Sequence, residues 1–214
     1  LSKLENPVNH RRLFAVTPLS KVSLALFLAV VTSGCDPVTA VVGGAATVGV
    51  GAAEERGLEG TVDDNKIAVS INHLWIDENF DLFRKITLTV NEGRVMLTGS
   101  VIKPEDRVDA VRLAWQAAGV RQVIDEIQVE DQSGMMDYAS DAWIANKLRT
   151  RLMFDGQIKN INYTVDVVNG VVYLMGIAQD QAELDRVIAH ARDVGSVKRV
   201  ISHVLLKNDP HRQS

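Results

Sequence analysis

The sequence predicts an α+β protein: two tandem αββαβ units, each a three-stranded mixed sheet packed by two helices. Three observations predict it. First, Asn91–Gly99 (NEGRVMLTG) and Asn169–Gly176 (NGVVYLMG) share one spacing of turn and apolar residues, so that Gly93 matches Gly170, Val95 Val172, Leu97 Leu174 and Gly99 Gly176. Second, the match extends outward at the same offset, from Asp64 with Asp141 to Val123-Ile124 with Val200-Ile201. Third, within each copy the apolar period changes from helical to alternating and back to helical, which is the pattern of helix, strand and helix in turn.

Each element has its own signal. In the first copy Asp64 is a candidate N-cap, with Ile67, Ile71 and Leu74 on one helical face. Ile86, Leu88 and Val90 then alternate with Thr87 and Thr89, as a half-buried strand requires. Glu92-Gly93, like Asn169-Gly170, is a tight-turn dipeptide that sends the chain back through Val95, Leu97 and Val101. Pro104 suits the first turn of a second helix, whose inward residues are expected to be Val108, Val111 and Trp115. Gly119 or Gly195 is expected to end that helix. A final strand, Val123–Val129 or Val200–Leu206, is expected to lie parallel to a hairpin strand after a right-handed crossover. The copies are Thr61–Glu130 and Tyr138–Lys207, joined by a polar linker (131–137) and followed by a tail (208–214). Units this small are marginal on one core, so the copies are expected to fold separately and stabilise each other by docking.

Composition narrows the function. Of 214 residues, 46% are apolar and 23% charged, which suits a packed fold, and a net charge of −4 gives no case for nucleic acid. One cysteine rules out an internal disulfide. No H-E-x-x-H, paired C-x-x-C, G-x-S-x-G or phosphate-loop motif occurs, so the sequence suggests no enzyme, catalytic residue, metal, cofactor or small-molecule substrate.

The N-terminus reads as an export signal. Arg11, Arg12 and Lys21 precede the apolar core Val22–Val31, too short for a spanning helix of ~20 residues. Thr32-Ser33-Gly34 and Cys35 follow, and this run resembles the lipobox of bacterial lipoproteins, with Thr32 where Leu or Val is usual. The resemblance implies a signal peptide over residues 1–34, cleavage before Cys35, and acylation of that cysteine with chains such as palmitate. The other reading of Cys35 is a small residue at an ordinary cleavage site. Arg11-Arg12-Leu13-Phe14 faintly resembles a twin-arginine signal, but ordinary secretion fits the later apolar core better. Asp36 resembles an inner-membrane retention signal of enteric bacteria, which leaves that membrane open although the outer membrane is favoured. Residues 35–60 are the lipidated cysteine and a tether, whose Gly- and Ala-rich part Val38–Ala53 reads as a surface-lying segment or a second span. Glu54-Glu55-Arg56 marks the return to water.

Taken together, helix, strand, E-G or N-G turn, V-x-L-x-G, amphipathic helix and a Val/Ile strand resemble the BON domain. Val95–Gly99 with Val120, and Val172–Gly176 with Val197, carry the pattern. Tandem BON domains behind a lipobox resemble envelope lipoproteins. The resemblance implies a non-enzymatic, periplasm-facing module that binds phospholipid or envelope proteins and supports envelope integrity.

The copies differ where a core does not demand it. Thr61–Glu130 holds twelve acidic and eight basic residues, net −4, whereas Tyr138–Lys207 holds seven and nine, net +2. Only the second suits an anionic surface. On its first helix Ile144, Leu148 and Leu152 form the buried stripe, and Trp143, Lys147 and Arg151 form a ridge at i, i+4 and i+8. An indole beside cations is the composition of a membrane interface. The aligned Lys66, Ser70 and Leu74 make no such ridge. Trp143, Lys147 and Arg151 are therefore the candidate phospholipid-binding residues. Alternatively, Trp143 packs on the other copy or the linker, or it anchors a protein partner, and the last of these would make the chain an envelope adaptor with incidental lipid contact. Trp75 and Trp115 are expected in cores, and His190 and His203 as surface or packing residues.

Overall fold

The computed structural model describes residues 53–130 and 138–212. The export signal, Cys35, Asp36, the tether up to residue 52 and the linker lie outside the described residues. The first copy comprises α1 (Gly57–Glu78), α2 (Phe80–Lys85), β1 (Ile86–Asn91), β2 (Arg94–Val101), α3 (Pro104–Ala114) and β3 (Gln122–Val129). The second comprises α4 (Tyr138–Phe154), a 3-10 turn (Asn160–Asn162), β4 (Tyr163–Val168), β5 (Val171–Ala178), α5 (Gln181–Arg192) and β6 (Arg199–Leu206). A 3-10 turn at Pro210–Arg212 follows. Each sheet is mixed. The hairpin strands are antiparallel, the last strand is parallel to the second, and the register repeats, Val95 opposite Val123 and Val172 opposite Val200.

Each copy has its own core between helices and sheet. Ile71, Trp75, Val95 and Leu97 are fully buried in the first, and Ile144, Leu148, Val172 and Leu174 in the second. Trp75 is a core residue, as expected, and its indole N–H donates to the Ala110 carbonyl at 3.2 Å.

Three local expectations are corrected. Asp64 is not an N-cap: α1 begins at Gly57, ahead of Asp64, and the Asp64 carboxylate accepts the backbone N–H groups of Glu92 and Gly93, both at 2.8 Å. Asp141 does the same for Asn169 and Gly170, at 2.6 and 2.8 Å. Both central residues of each turn have positive φ (Glu92 52°, Gly93 71°, Asn169 53°, Gly170 77°), so the helix carboxylate pins a turn that Glu92 on its own disfavours. On α3, Val108 and Trp115 are exposed, while Ala110, Leu113 and Ala114 face inward. Small alanines let α3 approach closely, and with Ala110, Leu113 and Ala114 inward the ~100° period puts Val108 and Trp115 on roughly the opposite side of the helix. Finally, Gly195 is not the left-handed residue after α5. Ser196, the position equivalent to Gly119, takes φ +70° against +93° for Gly119.

The copies dock through the sheet faces that the helices leave bare. Met96 and Ile124 meet Val171, Tyr173 and Met175 in a second buried apolar layer, with Val168 and Ile201 at its margin. Polar contacts cross the same layer. Gln128 Nε2 donates to the Tyr173 hydroxyl at 3.0 Å, Arg94 Nη2 to the His203 carbonyl at 3.0 Å, and the Thr98 hydroxyl to Asp166. His203 Nε2 lies 2.8 Å from Glu126 Oε1. Burial pushes the Asp166 carboxyl above its ordinary range. The order of layers is helices, sheet, sheet, helices, which leaves helix surfaces and strand edges as the ground for contact with other molecules.

Candidate functional site

Helix α4 positions the candidate residues. Ile144, Ala145, Leu148 and Leu152 are buried against the second sheet, and this fixes the rotation of the helix. Trp143 then lies on the outer face, 51% exposed, with Lys147 exposed one turn on. Trp143 thus packs in neither core nor in the layer between the copies. Arg151 behaves differently. Each i+4 step drifts by ~40°, so two steps carry it ~80° round the helix, toward α5. There its Nη1 pairs with Asp193 at 2.7 Å and reaches the His190 carbonyl at 3.4 Å. The structure joins Trp143 and Lys147 on one outward ridge and sets Arg151 on its flank, already paired.

The ridge continues where the sequence reading stopped. Phe154 is eleven positions after Trp143, a return of ~20° after three turns, and it is 79% exposed. Met153 beside it is also exposed. The signal that could have found Phe154 is this same 100° period carried one turn beyond Arg151. Alongside the ridge, between α4 and β4, lies a groove of about 480 Å³ lined by Asn146, Arg149, Thr150, Met153, Tyr163 and Val165 among others. Arg149 faces this groove and donates to the Val165 carbonyl at 2.5 Å, which blunts the free edge of β4. The equivalent surface of the first copy is unlike it. Lys66 is tied to Asp63 at 2.9 Å, Leu74 packs on the core, and Asp77 stands where the second copy has Phe154.

Other charged groups are bound within the fold. His190 Nε2 lies 2.8 Å from Asp155, whose carboxyl is held below its usual range by that contact and by the Gln157 N–H. Among the described residues no cluster of His, Cys, Asp and Glu is arranged to hold a metal ion, and no helix is long and apolar enough to cross a membrane.

Comparison with known proteins bears on this arrangement. The model of the BON domain matches residues 63–131 and again 140–208. The chain belongs to the BON-domain family. Both BON domains are therefore the repeat itself, and the α+β architecture is that of the tandem pair. An uncharacterised protein of the gshII 5′ region of Anaplasma centrale is 42% identical over 153 residues, which span 71% of this chain and 100% of that one. Outer membrane lipoprotein DolP of Haemophilus influenzae is 28% identical over 188 residues, 87% of this chain and 95% of that one. Osmotically-inducible protein Y of Escherichia coli K12 is 27% identical over 141 residues, 65% of this chain and 70% of that one.

Proposed function

We propose that this chain is a lipid-anchored, periplasm-facing envelope protein whose second BON domain binds anionic phospholipid and thereby supports envelope integrity. One observation carries the reading: the exposed Trp143, Lys147 and Phe154 ridge on α4, which the first BON domain lacks. The indole and the phenyl ring would enter the interface at headgroup depth, Lys147 would meet phosphate, and Arg151 would add charge from the flank. Cys35 would carry the anchor. The likeness to an outer membrane lipoprotein across 95% of its length supports the outer membrane, and Asp36 keeps the inner membrane as the other destination. The proposed organisation is a signal over 1–34, a tether over 35–60 whose last residues already form the first turn of α1, and BON domains over 61–130 and 138–207. No catalytic role is assigned.

Flotation of the unlipidated chain with vesicles, with and without phosphatidylglycerol or cardiolipin, tests the site. Trp143→Ala is expected to leave stability within about 0.5 kcal/mol of wild type, as for ordinary surface changes. It should weaken binding to anionic vesicles several-fold, since buried apolar area contributes ~25 cal/mol per Å². Phe154→Ser should act in the same way. Lys147→Glu should weaken binding too, with an effect that shrinks as salt rises, because exposed charges are screened over ~10 Å at 0.1 M. Lys66→Ala should change nothing. Wild-type binding by every variant would move the site off α4 and make the protein-adaptor reading the better one.

A further inference from the structure

The residues just before α1 make contacts that sequence order does not suggest. Glu55 reaches the second BON domain. Its backbone N–H donates to Asn162 Oδ1 at 3.0 Å. Its carboxylate accepts from Lys159 Nζ at 2.9 Å and Gln179 Nε2 at 3.0 Å, and lies 3.2 Å from Lys207 Nζ. The Lys159 ammonium, ahead of the other contacts, holds this carboxyl down to about 2. The next residue turns the other way. Arg56 Nη1 donates to Asp64 Oδ2 at 2.8 Å and to the Val90 carbonyl at 3.0 Å, both in the first domain. Consecutive side chains therefore grip different domains at the point where the tether joins the folded body.

The receiving residues belong to the second domain alone. The positions equivalent to Lys159, Asn162, Gln179 and Lys207 are Leu82, Lys85, Ile102 and Glu130, of which only Lys85 has a side-chain donor for a carboxylate, and it pairs with Asp81 at 2.8 Å. Ile161, 36% exposed, lies in the 3-10 turn between Lys159 and Asn162. A five-residue stretch, Asp155–Lys159, separates that turn from the exposed Phe154.

We infer that Glu55 and Arg56 form an orienting clamp, which holds the tether against the second BON domain and turns that domain, not the first, toward the bilayer carrying the anchor. The occupant of the Phe154 and Ile161 corner is then a lipid surface. Chain length supports this. Seventeen residues, 36–52, lie between Cys35 and the described chain. A Gly-rich coil of that length would have a root-mean-square span of roughly 20–25 Å, about the width of one such domain. With so short a reach, whichever domain holds the tether stays near the membrane. Unclamped, the tether would lead directly into α1, and the first domain would be the near one. The inference takes from the proposed function only that Cys35 is the anchor.

The test uses the anchored chain in neutral phosphatidylcholine vesicles, where attraction between the ridge and anionic lipid plays no part. With Cys35 acylated, a single added cysteine takes a fluorophore, at Thr150→Cys on α4 or at the equivalent His73→Cys on α1; both positions are exposed. Quenching by spin-labelled lipid is expected to be severalfold stronger from position 150 than from position 73. Glu55→Lys should bring the two labels to near equality, and Lys159→Glu should do so from the other side of the clamp. Folding should survive, because a second strap joins the domains elsewhere: Arg212 binds both carboxylate oxygens of Glu92 at 2.6 and 3.0 Å. Circular dichroism checks this, and Glu55→Gln, which keeps the shape and loses the charge, should give an intermediate shift. Equal quenching of the two labels in wild type, or an asymmetry that survives both charge reversals, overturns the inference. Failure of the unlipidated wild type to float with anionic vesicles would instead count against the lipid site on α4 and leave the clamp standing.

Discussion

Gly176→Ala is expected to unfold the second BON domain or leave it barely stable, while Gly156→Ala has no measurable effect. Gly176 sits in β5 at φ +140°, and a Cβ there would lie 1.9 Å from the Asn162 carbonyl oxygen. The backbone region is open almost only to glycine, and the overlap is with backbone, which cannot swing aside. Strain and overpacking of this kind each cost ~1–3 kcal/mol, so a loss of about 2–6 kcal/mol is expected in a fold whose total stability is of order 5–15 kcal/mol. The damage should also reach function, because Asn162 holds the backbone of Glu55. Gly156 has no heavy atom within 4 Å of its virtual Cβ and no positive φ, so it is the matched control. Urea denaturation of the two variants decides the matter. A wild-type midpoint for Gly176→Ala would mean that β5 and the Asn160–Asn162 turn separate readily enough to admit a Cβ.

Tyr173→Ala is expected to cost about 3–5 kcal/mol, the usual range for removing a large aromatic side chain from a core. Tyr173 is 1% exposed, yet it belongs to neither helix-covered core: it fills the layer between the two sheets and accepts a hydrogen bond from Gln128. The loss should therefore be felt by both BON domains. For a body of this size it corresponds to a fall in melting temperature of roughly 6–20 °C. Calorimetry should show one transition in wild type and, in Tyr173→Ala, a lower transition or two separated ones as the sheets part. Tyr173→Phe keeps the ring and removes one hydrogen bond, so ~1 kcal/mol is expected. A variant that melts like wild type would show that the sheet faces contribute little and that the straps carry the docking.

The sequence by itself determined the elements whose signals are local. The two hairpins were legible because alternation and a two-residue turn lie within a dozen positions, and the repeat made each copy a check on the other. The buried stripe of α4, and with it the outward placing of Trp143 and Lys147, followed from a period of 3.6. What only the tertiary structure decided involves partners far apart in the chain. Asp64 looked like a cap because its real partners, the turn N–H groups, are 28 positions away. Arg151 looked free because Asp193, 42 positions on, pairs with it only after α5 has packed beside α4. Trp115 looked internal because Val108, Val111 and Trp115 make an apolar stripe at i, i+3 and i+7, whereas α3 turns Ala110, Leu113 and Ala114 to the core. Glu55 read as a return to water, although its backbone partner lies 107 positions away in the other domain. Short-range periodicity records which face of an element turns inward. Which polar group meets which across the fold depends on how finished elements dock, and a carboxylate, a guanidinium or an ammonium carries no mark of its partner until that docking brings the two within hydrogen-bond reach.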